Sequence, residues 1–108
     1  QMKQVVTILL DNACKYAGLH GTVSVSLKSA SHHAVLTVNN TGEPIPSSDQ
    51  KHIFERFYRT DKSRVRKEGG YGLGLSIART IVEQHKGKIT VSSSQEEGTT
   101  FTVVLPEL

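Results

Sequence analysis

Two pairs of segments in this chain alternate apolar and polar residues, and each pair is joined by a short polar turn. The first pair covers residues 22–28 and 33–39, and the second covers residues 88–94 and 99–105. Strict alternation is typical of strands with one buried face, and a short connection makes two such strands antiparallel neighbours. The sequence therefore predicts two β-hairpins. All-helical folds and doubly wound parallel folds are excluded, since neither supplies them.

Three other segments show the spacing of amphipathic helices. We expect helices at residues 2–17, from 47 or 48 to about 58, and at residues 73–85, where Gly87 ends the last one. The order of elements is α, β, β, α, loop, α, β, β. Helices kept apart from hairpin strands predict an α+β two-layer sandwich, in which one mixed sheet is covered on one face by the three helices.

Size and composition predict a single domain at residues 1–108. The chain has 108 residues, 36% of them hydrophobic, and lacks the run of about eighteen apolar residues that a transmembrane helix needs. The first residues lack signal-peptide features and enter directly on a helical pattern, so we expect a piece of a larger protein. The single cysteine, Cys14, excludes an internal disulfide. We expect it to pack on the apolar face of the first helix, in a reducing, cytoplasmic setting.

Positive charge is concentrated in one segment. The formal net charge is +3, and residues 56–67 alone hold six basic residues against one acid, Asp61. Such a segment attracts an anionic partner, and a nucleic acid, an acidic protein surface and a nucleoside triphosphate are all candidates. A solvated charged loop is the simpler alternative.

The first helix carries a candidate site for a metal and a phosphate. Asp11 and Lys15 lie four residues apart, as do Asn12 and Tyr16, so the two pairs occupy adjacent strips of one helical face. Mg²⁺ prefers hard oxygen ligands and phosphate binds a point charge, so these residues could hold both. A surface ion pair between Asp11 and Lys15, worth about 0.3 kcal/mol, explains the same spacing.

A glycine-rich segment, residues 69–75, precedes the last predicted helix. Glycines let a backbone approach a ligand closely, and a helix N-terminus attracts an anion. The segment lacks the preceding strand of a dinucleotide-binding loop and the Gly-Lys-Ser/Thr of a Walker loop. It is therefore predicted to be a phosphate cradle of another class or a flexible hinge. The five histidines are paired with no nucleophile at a recognisable spacing.

Several motifs follow one another in a specific order. They are QVVTILLDNACKYA at residues 4–17, NTGEPIP at 40–46, HIFERFYR at 52–59, GYGLGLSIA at 70–78 and the pattern at 85–106. Together they resemble the N, G1, F and G2 boxes and the last two strands of the catalytic and ATP-binding domain of bacterial sensor histidine kinases, in the GHKL ATPase superfamily. Each motif alone is weak, but their order and spacing over nearly the whole chain are specific.

The resemblance implies a Bergerat fold and a Mg²⁺-ATP site. It implies that Asn12 ligates Mg²⁺, that Lys15 meets a phosphate and that Tyr16 lines the pocket. It also implies that Asp11 acts as the general base or polarising group and that Arg59 balances the charge of the γ-phosphate.

The resemblance implies further nucleotide contacts in the later motifs. These are Asn40, Gly42, Ile45, Tyr58, Arg59, Gly70, Gly72, Leu73, Gly74, Leu75 and Thr99. The basic segment would then belong to a mobile lid, at residues 59–71, and to a partner surface, with no nucleic acid bound.

Four positions depart from the pattern of the family. Asn40 replaces its adenine-reading Asp, Pro44 and Lys86 each replace a glycine, and Ile8 replaces an Asn. Because an amide both donates and accepts, rotation of the Asn40 side chain could let it read guanine as well as adenine.

The function implied is transfer of the γ-phosphoryl group of ATP to a histidine on a separate dimerisation and phosphoacceptor domain, with a response regulator as partner of the whole kinase. We expect this domain to be cytoplasmic and monomeric, and the whole kinase to be a membrane-anchored homodimer. One alternative is a degenerate nucleotide-binding module without catalysis, which Asn40 and Pro44 suggest. Another is a nucleic-acid-binding domain that uses the basic segment.

Overall fold

Four strands form one sheet in the computed structural model, which describes residues 2–18, 20–55 and 74–106. The strands are β1 (Val23–Ala30), β2 (His33–Asn40), β3 (Lys88–Ser94) and β4 (Gly98–Pro106), in the order β1-β2-β4-β3. Both predicted hairpins are confirmed. The expectation of a mixed sheet is wrong for the described residues, because β2 and β4, where the hairpins meet, also run antiparallel.

The connection between β1 and β2 is tighter than predicted. Ser31 and His32 have φ values of 51° and 65°, and two successive positive values are what a type I′ turn requires. Ala30 consequently pairs with His33. The two-residue turn lets β1 continue to Ala30, beyond its predicted end at residue 28.

The described helices are α1 (Met2–Ala17), α2 (Ser47–Gln50) and α3 (Gly74–Gln84). α1 has its predicted bounds. α1 and α3 pack against each other and against the sheet, and α2 packs against β3. The prediction that the middle helix extends to about residue 58 is wrong in its described part, since turns follow Gln50. No side chain caps the N-terminus of α2, so this element lacks the local stabilisation that a longer helix would need. No helix in the described ranges has the length and apolar character needed to cross a membrane.

The hydrophobic core lies between the helices and one face of the sheet. Leu9 of α1, Val38 of β2 and Phe101 of β4 are fully buried. The Phe54 ring stands edge-on to Phe101, with ring centroids 6.0 Å apart, which is a favourable aromatic geometry. The buried apolar residues are Val5, Leu9, Ala13, Val38, Ile53, Ala78, Ile81, Val82, Ile89, Phe101 and Val103. The fold class expected from the sequence, a two-layer α/β sandwich, is confirmed.

Three apolar residues are more exposed than predicted. Val25 and Leu27 pair with Val38 and Leu36 and so lie on the helix-facing side of β1, yet they are 51% and 72% exposed. β1 is at the edge of the described sheet, away from the strands that the helices cover best. Cys14 is exposed as well, because it lies at the margin of the buried stripe of α1.

Candidate functional site

A row of polar side chains crosses the buried face of the sheet at one end. Asn40 of β2 pairs with Thr99 of β4, which pairs with Ser93 of β3. Asn40 and Thr99 are 1% and 4% exposed, on the same face of the sheet as Phe101. Asn and Thr side chains are rarely buried unless hydrogen bonds or a ligand satisfy their polar atoms. The row therefore marks the floor of a candidate binding site.

Hydrogen bonds tie this floor to the loop that follows β2. Ser93 Oγ and Thr99 Oγ1 are 2.7 Å apart, and the Ile45 N–H donates to Ser93 Oγ at 2.8 Å. Gln50 Nε2 donates to the Ile45 carbonyl at 2.7 Å, which connects α2 to the same loop. The loop is thereby held beside the polar row.

The side-chain amide of Asn40 is the unusual group of the site, because only one of its two polar atoms is hydrogen-bonded among the described residues. Its Nδ2 donates to the Thr41 carbonyl at 2.8 Å. Its Oδ1 is buried and has no hydrogen-bond partner among the residues that the structure describes. A buried acceptor without a donor costs about 1–3 kcal/mol, so this oxygen is suited to accept a hydrogen bond from a ligand.

α1 supplies the strip that carries the predicted metal ligand. Ile8, Asn12 and Tyr16 follow at four-residue intervals and so share one side of the helix. A Cβ on Gly74 would lie 3.5 Å from Ile8 Cγ2, and a Cβ on Gly42 would collide with the Tyr16 carbonyl oxygen. Asn12 therefore lies one turn from the start of α3 and one turn from the loop after β2. Ile8, a departure from the family pattern, lies beside the start of α3.

The four predicted site residues of α1 lie on this strip of the helix or next to it. Asn12, Lys15 and Tyr16 are half-buried and Asp11 is exposed. Lys15 Nζ lies 6.0 Å from the centre of the Tyr16 ring, at the outer limit of a cation–π contact. No group of three or more His, Cys, Asp or Glu side chains in the described ranges is placed to hold a metal ion. A metal ion bound at Asn12 would therefore take most of its ligands from groups other than the His, Cys, Asp and Glu side chains of the described residues.

The structure places parts of three predicted motifs near one another, and parts of two motifs, those at 52–59 and 70–78, lie outside the described residues. The segment from Asn40 to Ile45 lies between the polar row, through the Ile45–Ser93 hydrogen bond, and the end of α1, where Gly42 faces the Tyr16 backbone. The start of α3, with Gly74 and half-buried Leu75, lies beside Ile8 of α1. The predicted contacts Tyr58, Arg59, Gly70, Gly72 and Leu73, and the whole of the expected lid at residues 59–71, lie outside the described residues.

Sequence reasoning missed three residues of the site. Ser93 and Gln50 hold the loop, and Thr22 bonds to the Thr41 backbone at the edge of the site. Ser93 interrupts the apolar inward positions Ile89 and Val91, and that interruption was the signal available in the sequence. Gln50 bonds to Ile45, five residues before it, and Thr22 bonds to Thr41, nineteen residues after it, and neither contact follows a pattern that can be recognised in the sequence.

The family model described as histidine kinase-, DNA gyrase B- and HSP90-like ATPase matches residues 1–108. The chain belongs to this ATPase family, and in sensor histidine kinases this domain is the catalytic ATPase part.

Sequence relatives and solved structures agree with this assignment. The chain is 44% identical over 106 residues to the sensor histidine kinase RppB of Synechocystis sp., covering 98% of this chain and 23% of RppB. The mycobacterial sensor histidine kinase MprB superposes with a TM-score of 0.84 at 35% identity, covering 95% of this chain and 70% of that one. Histidine kinase ThkA, solved in complex with the response regulator TrrA, gives a TM-score of 0.80 at 31% identity, covering 100% of this chain and 29% of ThkA.

Proposed function

We infer that the chain binds Mg²⁺-ATP between α1, the loop after β2 and the start of α3, and transfers the γ-phosphoryl group to a histidine on a separate dimerisation domain. The observation that carries the inference is the buried Oδ1 of Asn40, which has no hydrogen-bond partner among the described residues. An adenine amino group donates the hydrogen bond that this oxygen lacks. Thr99 is its buried neighbour in the polar row and completes the proposed base-binding end.

The phosphate end of the site is proposed at α1. The amide oxygen of Asn12 is a hard ligand of the kind Mg²⁺ accepts, and this ion keeps several waters and takes further oxygens from phosphates. A site with one protein ligand and no acidic cluster within the described part of the chain therefore fits Mg²⁺. Lys15 would neutralise phosphate charge, and Asp11 would orient or polarise the accepting group. Phosphoryl transfer depends mainly on positioning and charge neutralisation, so few acid–base residues are needed.

Calorimetry with the chain and a non-hydrolysable ATP analogue, with and without Mg²⁺, tests the proposal. Asn12→Ala should weaken binding of the Mg²⁺ complex by about tenfold, the order of effect typical for groups around a bound metal. Metal-free ADP should bind almost as before. Thr7→Ala, an exposed change on the same helix, should alter neither. Equal losses for all nucleotides would mean that Asn12 acts on folding and is no ligand.

The proposed setting is that of a two-component kinase. The chain spans 23% of RppB, so the acceptor histidine and dimerisation domain are proposed on other parts of the whole protein, a membrane-anchored homodimer. ThkA was solved with a response regulator, and we propose the same class of partner here. Within that kinase, residues 1–108 are proposed as one cytoplasmic domain, monomeric when alone and without a nucleic-acid partner.

The degenerate, non-catalytic module remains the second candidate, because residue 40 is an amide and residue 44 is Pro. Incubation with ATP and the dimerisation domain of RppB separates the two. Phosphohistidine on the added domain supports catalysis, whereas nucleotide binding without transfer supports the degenerate module.

A further inference from the structure

Ile45, in the loop after β2, is held at both of its backbone polar groups. Its N–H donates to Ser93 Oγ at 2.8 Å, and its carbonyl oxygen accepts from Gln50 Nε2 at 2.7 Å. The same Nε2 lies 3.5 Å from the Ser93 carbonyl oxygen. The amide of Gln50 therefore closes a ring of hydrogen bonds between the loop and β3. A shift of Ile45 relative to β3 would break at least one of these bonds.

The side chain of Gln50 reaches Ile45 because the chain between them turns sharply. The Pro46 carbonyl accepts from the Asp49 N–H at 2.9 Å and from the Gln50 N–H at 3.1 Å. These bonds form α2, which has four residues and packs against β3. Gln50 is half-buried and is the last residue of this helix. Its side chain thus ties the end of α2 back to the start of the turn.

The contacts of Gln50 require a hydrogen-bond donor at this position. Two carbonyl oxygens face Nε2, and a carbonyl oxygen can only accept. A carboxylate has nearly the same shape as the amide but would place a third acceptor beside these two. A methionine side chain is of similar length and has no N–H or O–H donor. The importance of shape and that of the donor can therefore be separated.

We propose that Gln50 is a positioning residue of the nucleotide site, which holds Ile45 against β3 and so preforms the wall beside the polar row. This rests on the proposed function and on the nucleotide contact that the resemblance implies for Ile45. Ser93 Oγ, which accepts from Ile45, is also 2.7 Å from Thr99 Oγ1, so the held loop and the buried row form one network. Binding to a preformed wall loses less free energy to the ordering of the loop.

Calorimetry with metal-free ADP and with the Mg²⁺ complex of a non-hydrolysable ATP analogue tests the proposal. Gln50→Met removes the donor and should weaken both nucleotides by about fivefold, as expected for one lost hydrogen bond. Gln50→Glu opposes acceptors and should weaken both by at least about tenfold. Gln84→Glu makes the same change of charge at an exposed position of α3 and should leave both affinities within about twofold.

Gln50→Glu also has a readout that a loss of packing would not change. Protonation turns its carboxyl group into a donor, and partial burial beside carbonyl oxygens should raise the pKa of this group above the ordinary value of about 4.3. The affinity for ADP, divided by that of the unchanged chain, should therefore rise at least about threefold from pH 7.5 to pH 5. Asp49, Lys51 and His52, the titratable neighbours along the chain, are present in both proteins, so their titration cancels in this ratio.

The outcomes separate this proposal from the function on which it rests. If Gln50→Met binds both nucleotides as tightly as the unchanged chain, or if the ratio for Gln50→Glu does not change with pH, the positioning role is wrong while nucleotide binding stands. If the unchanged chain binds neither nucleotide, the proposed function fails and this inference fails with it. Urea denaturation checks that the variants are folded under the binding conditions. If Gln50→Glu does not fold, Gln50→Met decides.

Discussion

Lys86 adopts a left-handed backbone conformation at the end of α3, with φ of 63°. This conformation costs a non-glycine residue about 1–2 kcal/mol, and the position is the one where the family pattern has glycine. Lys86→Gly should therefore raise the free energy of unfolding by about 1 kcal/mol, measured by urea denaturation, even though glycine is the more flexible residue when unfolded. An unchanged or lower stability would show that the lysine side chain compensates for its backbone strain.

Gly87, next to it, is required for a different reason. A Cβ at this position would lie 2.5 Å from Leu105 Cδ2 and 2.6 Å from the Val104 carbonyl oxygen, closer than atoms of these types can approach. Gly87→Ala should lower the free energy of unfolding by at least about 2 kcal/mol, since β4 must shift to admit the methyl group. If urea denaturation showed that Gly87→Ala lowers the free energy of unfolding by less than about 0.5 kcal/mol, the close approach of β4 to Gly87 would be contradicted.

At the level of residues, the sequence indicated which side chains could form a site but not their geometry. Asn40, Thr99 and Asn12 are site residues predicted from the resemblance, and the structure places the first two next to each other in one buried row. The orientation of the Asn40 amide could not be predicted, because Nδ2 donates to the Thr41 carbonyl, and Thr41 is bonded to Thr22, nineteen residues before it in the chain. Local patterns do not contain such contacts.

The loop after β2 depends on one hydroxyl of β3. Ser93 Oγ accepts from the Ile45 N–H and lies 2.7 Å from Thr99 Oγ1. Ser93→Ala should leave both groups short of a partner, lowering the free energy of unfolding by about 1–2 kcal/mol and weakening ATP binding. Ser92→Ala is the matched control, because Ser92 is exposed on the other face of β3. Equal effects of the two changes would contradict the role given to Ser93.

At the level of elements, strand and helix types were predictable and several ends were not. Alternation located all four described strands, yet β1 runs two residues further because positive φ values at Ser31 and His32 close the turn tightly. The helix that begins at Ser47 was predicted too long. The residues just after Gln50 form turns instead of a helix, and these turns still bury the apolar side chain of Ile53. Burial of a few side chains does not require a continuous helix.

For the whole molecule, two hairpins and their helices defined the fold class, but not how the hairpins join. The alternation of apolar and polar residues does not predict that β2 pairs with β4 or that this pairing is antiparallel. That choice places Asn40 beside Thr99 and so creates the buried polar row. The candidate site is thus a consequence of a long-range pairing that periodicity alone could not predict.

The same arrangement divides the helix-facing side of the sheet into a buried part and an uncovered edge. Leu9 is fully buried, whereas Leu27 on β1 is 72% exposed. Leu9→Ala should lower the free energy of unfolding by about 3–4 kcal/mol, because it leaves a cavity in the core. Leu27→Ala should change it by less than about 0.5 kcal/mol, as surface substitutions usually do. Urea denaturation of both variants, repeated at two protein concentrations, checks the contrast. A concentration-dependent loss above about 1 kcal/mol for Leu27→Ala would show that a second copy covers this edge in solution, and the apolar side chains of β1 would then belong to an interface.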